Sequence, residues 1–387
     1  MNLQHLNVVN GVVHLQNEND LLNSNIFNDL KQKINKNEIF HVTGIDLYLN
    51  HSNDAEIRDK KSELRNLLSN NVRIHPSDFT HCLLSRCVYK GDLVKTKTLA
   101  EQFDQCFDSN DHFKDNPEAC GLAKTILSQW KIYDHSNNQV EGYFGCIYVN
   151  DKYKQIVLAH RGTDDFWSLI TNVDEVILGS IIQDQSQKAY EMLQKAVELA
   201  KEKKNYALSF TGHSLGAFLA ELSLYFCFAD FKYKQAKTVN FESPGSKSYL
   251  EKLNNSYITN PLDKPLSDIK FLNVVTYLSN VNIVNICNEH VGMVFRIYPT
   301  LDECNEISKT LLESHWLKYF TREFDAKSEK PKKYNLVKQW PRLKSDEIIE
   351  VFANFKSIYS LTGMVKNIYD IYKCAKSNEF LNFISIR

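Results

Sequence analysis

Apolar residues in the middle of the chain recur in two rhythms, and the rhythms alternate. Ala189, Met192, Leu193, Ala196, Val197 and Ala200 fall at i, i+3, i+4 spacing, which predicts a helix with one buried face. Leu215, Phe218, Leu219, Leu222 and Phe226 predict a second helix on the same grounds. Short β-compatible runs lie around them. Tyr143–Val149 and Gln155–Ala159 flank the turn signal Asn150-Asp151 and read as a hairpin; 206–211, 238–242 and 271–277 read as further strands. Strands alternating with helices imply a largely parallel sheet covered on both faces, an α/β fold.

This texture begins near residue 76 and sets the expected boundaries. Residues 1–75 are polar and Asn-rich, with short apolar groups such as Val8-Val9, Val12–Leu15 and Ile39–Val42. Asn10-Gly11 reads as a hairpin turn and 59–69 as a charged helix. The segment is expected to be an accessory module with no assignable function. The main domain is expected over 76–342. After Trp340-Pro341, Ile348, Val351, Phe352, Phe355 and Tyr359 form one stripe, and Leu361, Met364, Val365, Ile368 and Tyr372 a second. Residues 343–387 are therefore expected to be a helical extension. Basic residues do not dominate its polar faces, which favours packing on the body over lying on a membrane, with peripheral membrane contact left open.

Charge and cysteine content narrow the class. Lys and Arg number 46 against 47 Asp and Glu in 387 residues, a balance that argues against a nucleic-acid partner. No run approaches 18 apolar residues, so no transmembrane helix is expected. The first residues, Met-Asn-Leu-Gln-His-Leu-Asn, lack the basic and apolar regions of a secretory signal. Nine cysteines, an odd number without metal-ligand spacing, read as free thiols in a reducing compartment. A cytoplasmic location is expected, with signal-independent export left open.

The chemistry concentrates in Gly212-His213-Ser214-Leu215-Gly216, a Gly-x-Ser-x-Gly motif set between a predicted strand and a predicted helix. That context is a nucleophile elbow: a sharp turn strains the serine and lifts its hydroxyl above the sheet edge. The glycines leave room for the neighbouring strand and helix, and the helix N-terminus offers positive potential to an oxyanion. Random occurrence is a weak rival, since average glycine and serine usage gives about 0.1 such matches in a chain of this length. A serine hydroxyl needs a base, a group that orients the base, and oxyanion donors. In this fold the base follows the serine in the chain, and only His290 and His315 do so.

Three segments carry a family resemblance. Ile156–Thr163 is similar to the strand ending in Arg-Gly-Thr or Arg-Gly-Ser of the class 3, fungal-type lipases; Gly212–Ala217 matches their elbow; Phe241-Glu-Ser-Pro-Gly245 resembles their next strand and Ser-Pro turn. The similarity covers roughly 76–342 and is densest over 155–245. It implies the α/β-hydrolase fold and cleavage of lipid acyl esters, with no metal or organic cofactor. Ser214 would be the nucleophile, and Thr163 and the Leu215 N–H the oxyanion donors. Losing one such donor typically costs about 2.7–4 kcal/mol. His315 resembles the family's C-terminal histidine and is the expected base, with His290 a structural or groove residue. His160 and His213 are expected to support the loops, and Arg161 to form a structural ion pair, with Asp174 as its candidate partner.

The family's acidic residue is missing from its place. Asn282, in Tyr277–Asn285, occupies the aspartate position. An asparagine oxygen can orient a histidine but supplies no charge, and one such replacement in a serine protease cost about 10⁴-fold in rate. Three readings stand: a Ser-His-Asn enzyme, which is favoured, an acid relocated to Asp302, or a degraded site. Asp263 and Asp268 precede the strand and are poorly placed. Phe166, Trp167, Leu169, Ile177, Leu178 and Ile181 line an acyl groove or simply pack a connecting helix. The rivals are a catalytically weak binding protein on a hydrolase scaffold, and a thioesterase or peptidase with the same machinery.

Overall fold

Eight strands build the sheet that organises the molecule. The computed structural model describes residues 6–341 apart from 10, 37, 40, 46, 48–53, 72–74, 108–110, 139–141, 163–179, 205, 234, 257–265, 267, 283, 300–314 and 316. The predicted extension 343–387 lies outside the described residues.

The first elements are β1 (Val8–Val9), β2 (Val12–His14), α1 (Ser24–Asn35), β3 (His41–Thr43) and α2 (Ala55–Asn71). β1 and β2 pair antiparallel with Val9 opposite Val12, and Gly11 has φ +78°, as a two-residue hairpin loop requires. β3 joins β2 in parallel. Asn23 caps α1 by accepting the Asn25 N–H at 3.0 Å. Asp54 accepts the Glu56 N–H at 2.8 Å and so starts α2 ahead of the charged run at 59–69. Val13, Leu21, Leu30, Ile34, Val42 and Leu64 pack together as an apolar cluster of their own.

The chain continues through α3 (Asp78–Cys87), α4 (Phe103–Cys106), α5 (Pro117–Leu127), β4 (Lys131–Asn138), β5 (Tyr143–Asn150), β6 (Gln155–His160), α6 (Ser180–Glu202), β7 (Ala207–His213) and α7 (Leu215–Ala229). Then follow β8 (Lys237–Phe241), α8 (Lys247–Ser256), β9 (Val274–Leu278), β10 (Met293–Ile297), α9 (Leu317–Glu323), the short pair β11 (Phe324–Asp325) and β12 (Lys330–Pro331), and β13 (Tyr334–Val337). The large sheet runs β13-β10-β9-β8-β7-β6-β5-β4. β6 through β10 are parallel, with antiparallel strands at both edges. The largely parallel sheet is the one expected from the alternating pattern, and its architecture is the α/β-hydrolase fold that the family resemblance implies.

Strand periodicity sorts the core into two layers. On β5, Tyr143, Ile147 and Val149 face the cluster that holds α6 and α7, while Phe144, Cys146 and Tyr148 face the one that holds α3 and α5. The whole predicted stripe from Ala189 to Ala200 lies in the first cluster. β7 departs from this pattern. Its Ser209 Oγ bonds His81 Nε2 at 2.9 Å and its Thr211 Oγ1 bonds Ser85 Oγ at 2.7 Å, so a polar row fixes α3 against the strand that leads to Ser214. The strand expected from Phe271 begins later, because Asp268 accepts the Lys270 N–H at 2.9 Å and winds Ile269–Phe271 into a 3-10 turn.

Candidate active site

The turn between β7 and α7 holds Ser214 at φ +57°, ψ −129°, a conformation that side chains rarely adopt and that neighbouring contacts must hold. Ser214 N–H donates to the Phe241 carbonyl at 3.1 Å, and Ala217 N–H donates back to the Ser214 carbonyl at 2.9 Å. The glycines of the motif are at close approaches: a Cβ on Gly212 would strike the Gly216 backbone, and one on Gly216 would strike the backbone of His160, Arg161 and Gly162. Leu215 is the first residue of α7, where helix geometry gives the N–H no intrahelical acceptor.

The end of β6 comes to the same place. The side-chain position of Gly162 is 3.2 Å from Ser214 Cβ, so the residue before Thr163 sits against the candidate nucleophile. Thr163 lies outside the described residues. So do Asp302, Asp174 and the groove candidates Phe166, Trp167, Leu169, Ile177 and Leu178, together with the side chain of Ile181. Arg161 stands 5.2 Å over the Phe144 ring.

His315, just ahead of α9, is brought to the elbow by His213. The His213 Nε2–H donates to the His315 carbonyl at 2.6 Å, and the two rings lie 4.7 Å apart. The Tyr89 hydroxyl donates to His213 Nδ1 at 2.9 Å. Burial and the neighbouring His315 push the His213 pKa well below the usual value, so the ring stays neutral with one nitrogen donating and the other accepting. His160 is bonded to Tyr143 Oη at 3.0 Å and Ser223 Oγ at 2.9 Å, and burial lowers its pKa to about 3. His290 donates to the Asn285 carbonyl at 2.9 Å, and burial lowers its pKa to about 4.

Among the described residues, a carboxylate other than the expected partner lies beside the His315 ring. Glu242, the residue after β8, has its Oε2 3.6 Å from His315 Nδ1 and is fully buried. Its φ is +50°, outside strand geometry. Its oxygens accept the Ser279 N–H at 2.5 Å, the Asn282 amide at 2.5 Å and the Asn285 amide at 2.9 Å. Asn282 was the expected orienting residue. Its Oδ1 instead accepts the Val284 and Asn285 N–H groups, both at 3.1 Å, while its NH₂ turns to Glu242. With two acceptor sites engaged by backbone, that oxygen is placed to shape its own loop and to hold Glu242. Phe241-Glu-Ser-Pro-Gly245 carries part of the family resemblance, and Glu242 lies within it. The usable signal was a carboxylate just beyond the C-terminal end of the strand beside the elbow strand, the edge where α/β sheets build their sites.

A second buried carboxylate lies beneath. Glu221 on α7 accepts the Asn240 amide at 3.0 Å, the Ser243 hydroxyl at 2.9 Å and the Ser246 hydroxyl. Burial among these neutral donors pushes its pKa up to about 7. Among the described residues no group of three or more His, Cys, Asp or Glu could hold a metal ion, and no helix is long and apolar enough to cross a membrane.

Comparison with known proteins bears on this constellation. The sequence profile of the lipase (class 3) family matches residues 89–255. The uncharacterized protein RP165 of Rickettsia prowazekii (strain Madrid E) is 28% identical over 197 residues, 48% of this chain and 50% of that protein. The chain thus spans about half the length of this curated relative. Among solved structures, lipase II from Rhizopus niveus is 16% identical with a TM-score of 0.39, covering 57% of this chain and 79% of its own. Lip2 lipase from Yarrowia lipolytica is 15% identical with a TM-score of 0.39, covering 58% and 78%. The span matched by the family profile contains β5 to β8, the elbow and Glu242, and over it the chain is similar to the class 3 lipases.

Proposed function

We propose that this protein is a serine ester hydrolase that cleaves lipid acyl esters through an acyl-enzyme on Ser214. The observation that carries the reading is the strained Ser214 backbone at the head of α7, with His315 tied to the same elbow through His213. Ser214 Oγ attacks the ester carbonyl while its proton passes to His315 Nε2. The carbonyl oxygen becomes an oxyanion, received by the Leu215 N–H and by Thr163. As the carbonyl re-forms, the ester C–O bond breaks and the alcohol departs with the proton from His315. Water then attacks the acyl-enzyme, gives a proton to His315 and releases the acid, and that proton returns to Ser214.

A carboxylate beside His315 supports an intact site over a degraded one, despite the lack of an acid at position 282. The match of residues 89–255 to the lipase (class 3) family supports a lipid substrate. The test is hydrolysis of p-nitrophenyl esters from acetate to palmitate by the wild type, Ser214→Ala and His315→Ala. The expected result is activity lost in both variants, by roughly 10⁴-fold or more, with preference for the longer chains. Preference for acetate alone would make it an esterase, and turnover equal to Ser214→Ala would overturn the reading.

A further inference from the structure

A histidine base needs a partner at Nδ1 for two reasons. The partner fixes the tautomer that leaves Nε2 open to the serine, and a negative charge stabilises the imidazolium formed during attack. At the position where the class 3 pattern places that acid, this chain has Asn282, whose oxygen is engaged with the backbone of its own loop. The carboxylate beside His315 comes from another strand, 73 residues earlier in the chain (315 − 242).

We propose that Glu242 is the positioning residue for His315, and that Asn282, Asn285 and the Ser279 N–H form the cradle that holds its carboxylate. This rests on the reading of Ser214 and His315 as nucleophile and base. Three features support it. The Oε2 to Nδ1 separation of 3.6 Å is within ion-pair range, and such contacts tighten once the imidazolium forms. The two carboxylate oxygens face three N–H donors, so the buried negative charge is compensated before any proton moves. The positive φ of Glu242 turns its side chain out of the strand's alternation, a strained geometry found where function over-determines the backbone. The cradle also accounts for asparagine at 282. An aspartate there would set a second carboxylate against Glu242, where an amide now donates at 2.5 Å.

Among the described residues, His213 faces this pair from the elbow side, and His290 is near enough to Glu242 to feel its charge. Burial keeps both of these rings neutral.

The experiment compares wild type, Glu242→Gln, Glu242→Asp and Asn282→Asp. It measures kcat and KM on p-nitrophenyl butyrate, the pH profile of kcat/KM, thermal unfolding, and the NMR titration of the His315 ring. Glu242→Gln is expected to lower kcat by roughly 10³–10⁴-fold with KM within about threefold. Its His315 resonance and the acidic limb of the profile move to lower pH, a shift that a merely structural role leaves unmoved. Glu242→Asp keeps the charge and falls between the two. Asn282→Asp loses activity despite restoring the family's residue. The proposal is overturned if Asn282→Asp gains activity, or if His315 titrates identically with and without the Glu242 carboxylate. The NMR titration needs no turnover, so a failure of Ser214→Ala to abolish hydrolysis would sink the hydrolase reading and leave the Glu242 to His315 pairing to its own test.

Discussion

Two buried glutamates flank the turn that follows β8, and their neighbours give them opposite characters. Glu221 rises from α7 into hydroxyl and amide donors of β8 and the turn, with no cation among its hydrogen-bond partners in the described residues. Glu242 sits at the strand end, facing N–H donors on one side and an imidazole on the other. Both are fully buried. Burial among neutral partners raises the Glu221 pKa to about 7 and makes that group a latch between helix and turn. The same residue type beside a histidine becomes a means of controlling a proton. Residue identity and burial therefore decide little here; the atom across from the carboxylate decides the role.

Exchanging each glutamate for glutamine gives the largest contrast. Glu242→Gln should lose about three to four orders of magnitude in kcat, as removal of the charge beside a catalytic histidine does. Glu221→Gln should stay within about tenfold of wild type in kcat while losing about 1–3 kcal/mol of stability from its disturbed donors, read by denaturant unfolding. Equal catalytic losses in both would dissolve the distinction. A Gly162→Ala substitution tests the other side of the elbow. Its methyl would lie 3.2 Å from Ser214 Cβ and 2.6 Å from the His213 carbonyl, and a loss of about 10–100-fold in kcat is expected. Unchanged kinetics would place the reacting groups elsewhere.

The pH dependence of stability sharpens the comparison through sign. His81, His160 and His290 are held neutral by burial, with pKa values of about 4, 3 and 4. Below the unfolded histidine value of about 6.5 the unfolded chain binds protons that the folded chain refuses. Each ring therefore removes up to about 1.4 kcal/mol per pH unit as pH falls from there toward its folded value. Glu221 opposes them: its folded pKa is raised, so its contribution is present below about 4.5 and is lost as pH rises toward 7. Three rings outweigh one carboxyl, and the unfolding temperature should drop steeply between pH 6.5 and 4.5. In Glu221→Gln the drop should be steeper still, and a flat wild-type profile would contradict this balance. The smallest effect expected is from Tyr89→Phe, which removes one hydrogen bond to His213 and should cost about 1 kcal/mol and a few-fold in kcat.

Much of the fold was legible because short-range patterns dictate it. The helical stripe from Ala189 to Ala200 follows from spacing, the β5–β6 pair from two β-compatible runs around the Asn150-Asp151 turn signal, and the β1–β2 pair from Asn10-Gly11. The late start of β9 was not legible, since one aspartate side chain redirected the backbone at Lys270. The strand, glycine turn and helix around Ser214 were legible for the same local reason. Glu242 as the neighbour of His315 was not, although its segment carries part of the family resemblance. A pairing between two loops so far apart in the chain leaves no periodicity, and the family pattern directed attention to position 282. The polar row on β7 was equally silent, because Ser209 and Thr211 read as an interrupted apolar strand until α3 supplies His81 and Ser85.

The most direct test of the central claim is covalent. Rapid quenching of the wild type with p-nitrophenyl butyrate, followed by mass spectrometry of the digested chain, should find a butyryl group on the peptide containing Ser214. The adduct should accumulate with the initial burst of p-nitrophenol and be absent from Ser214→Ala and His315→Ala. Ester turnover without an acyl adduct, or an adduct that persists in Ser214→Ala, would contradict it.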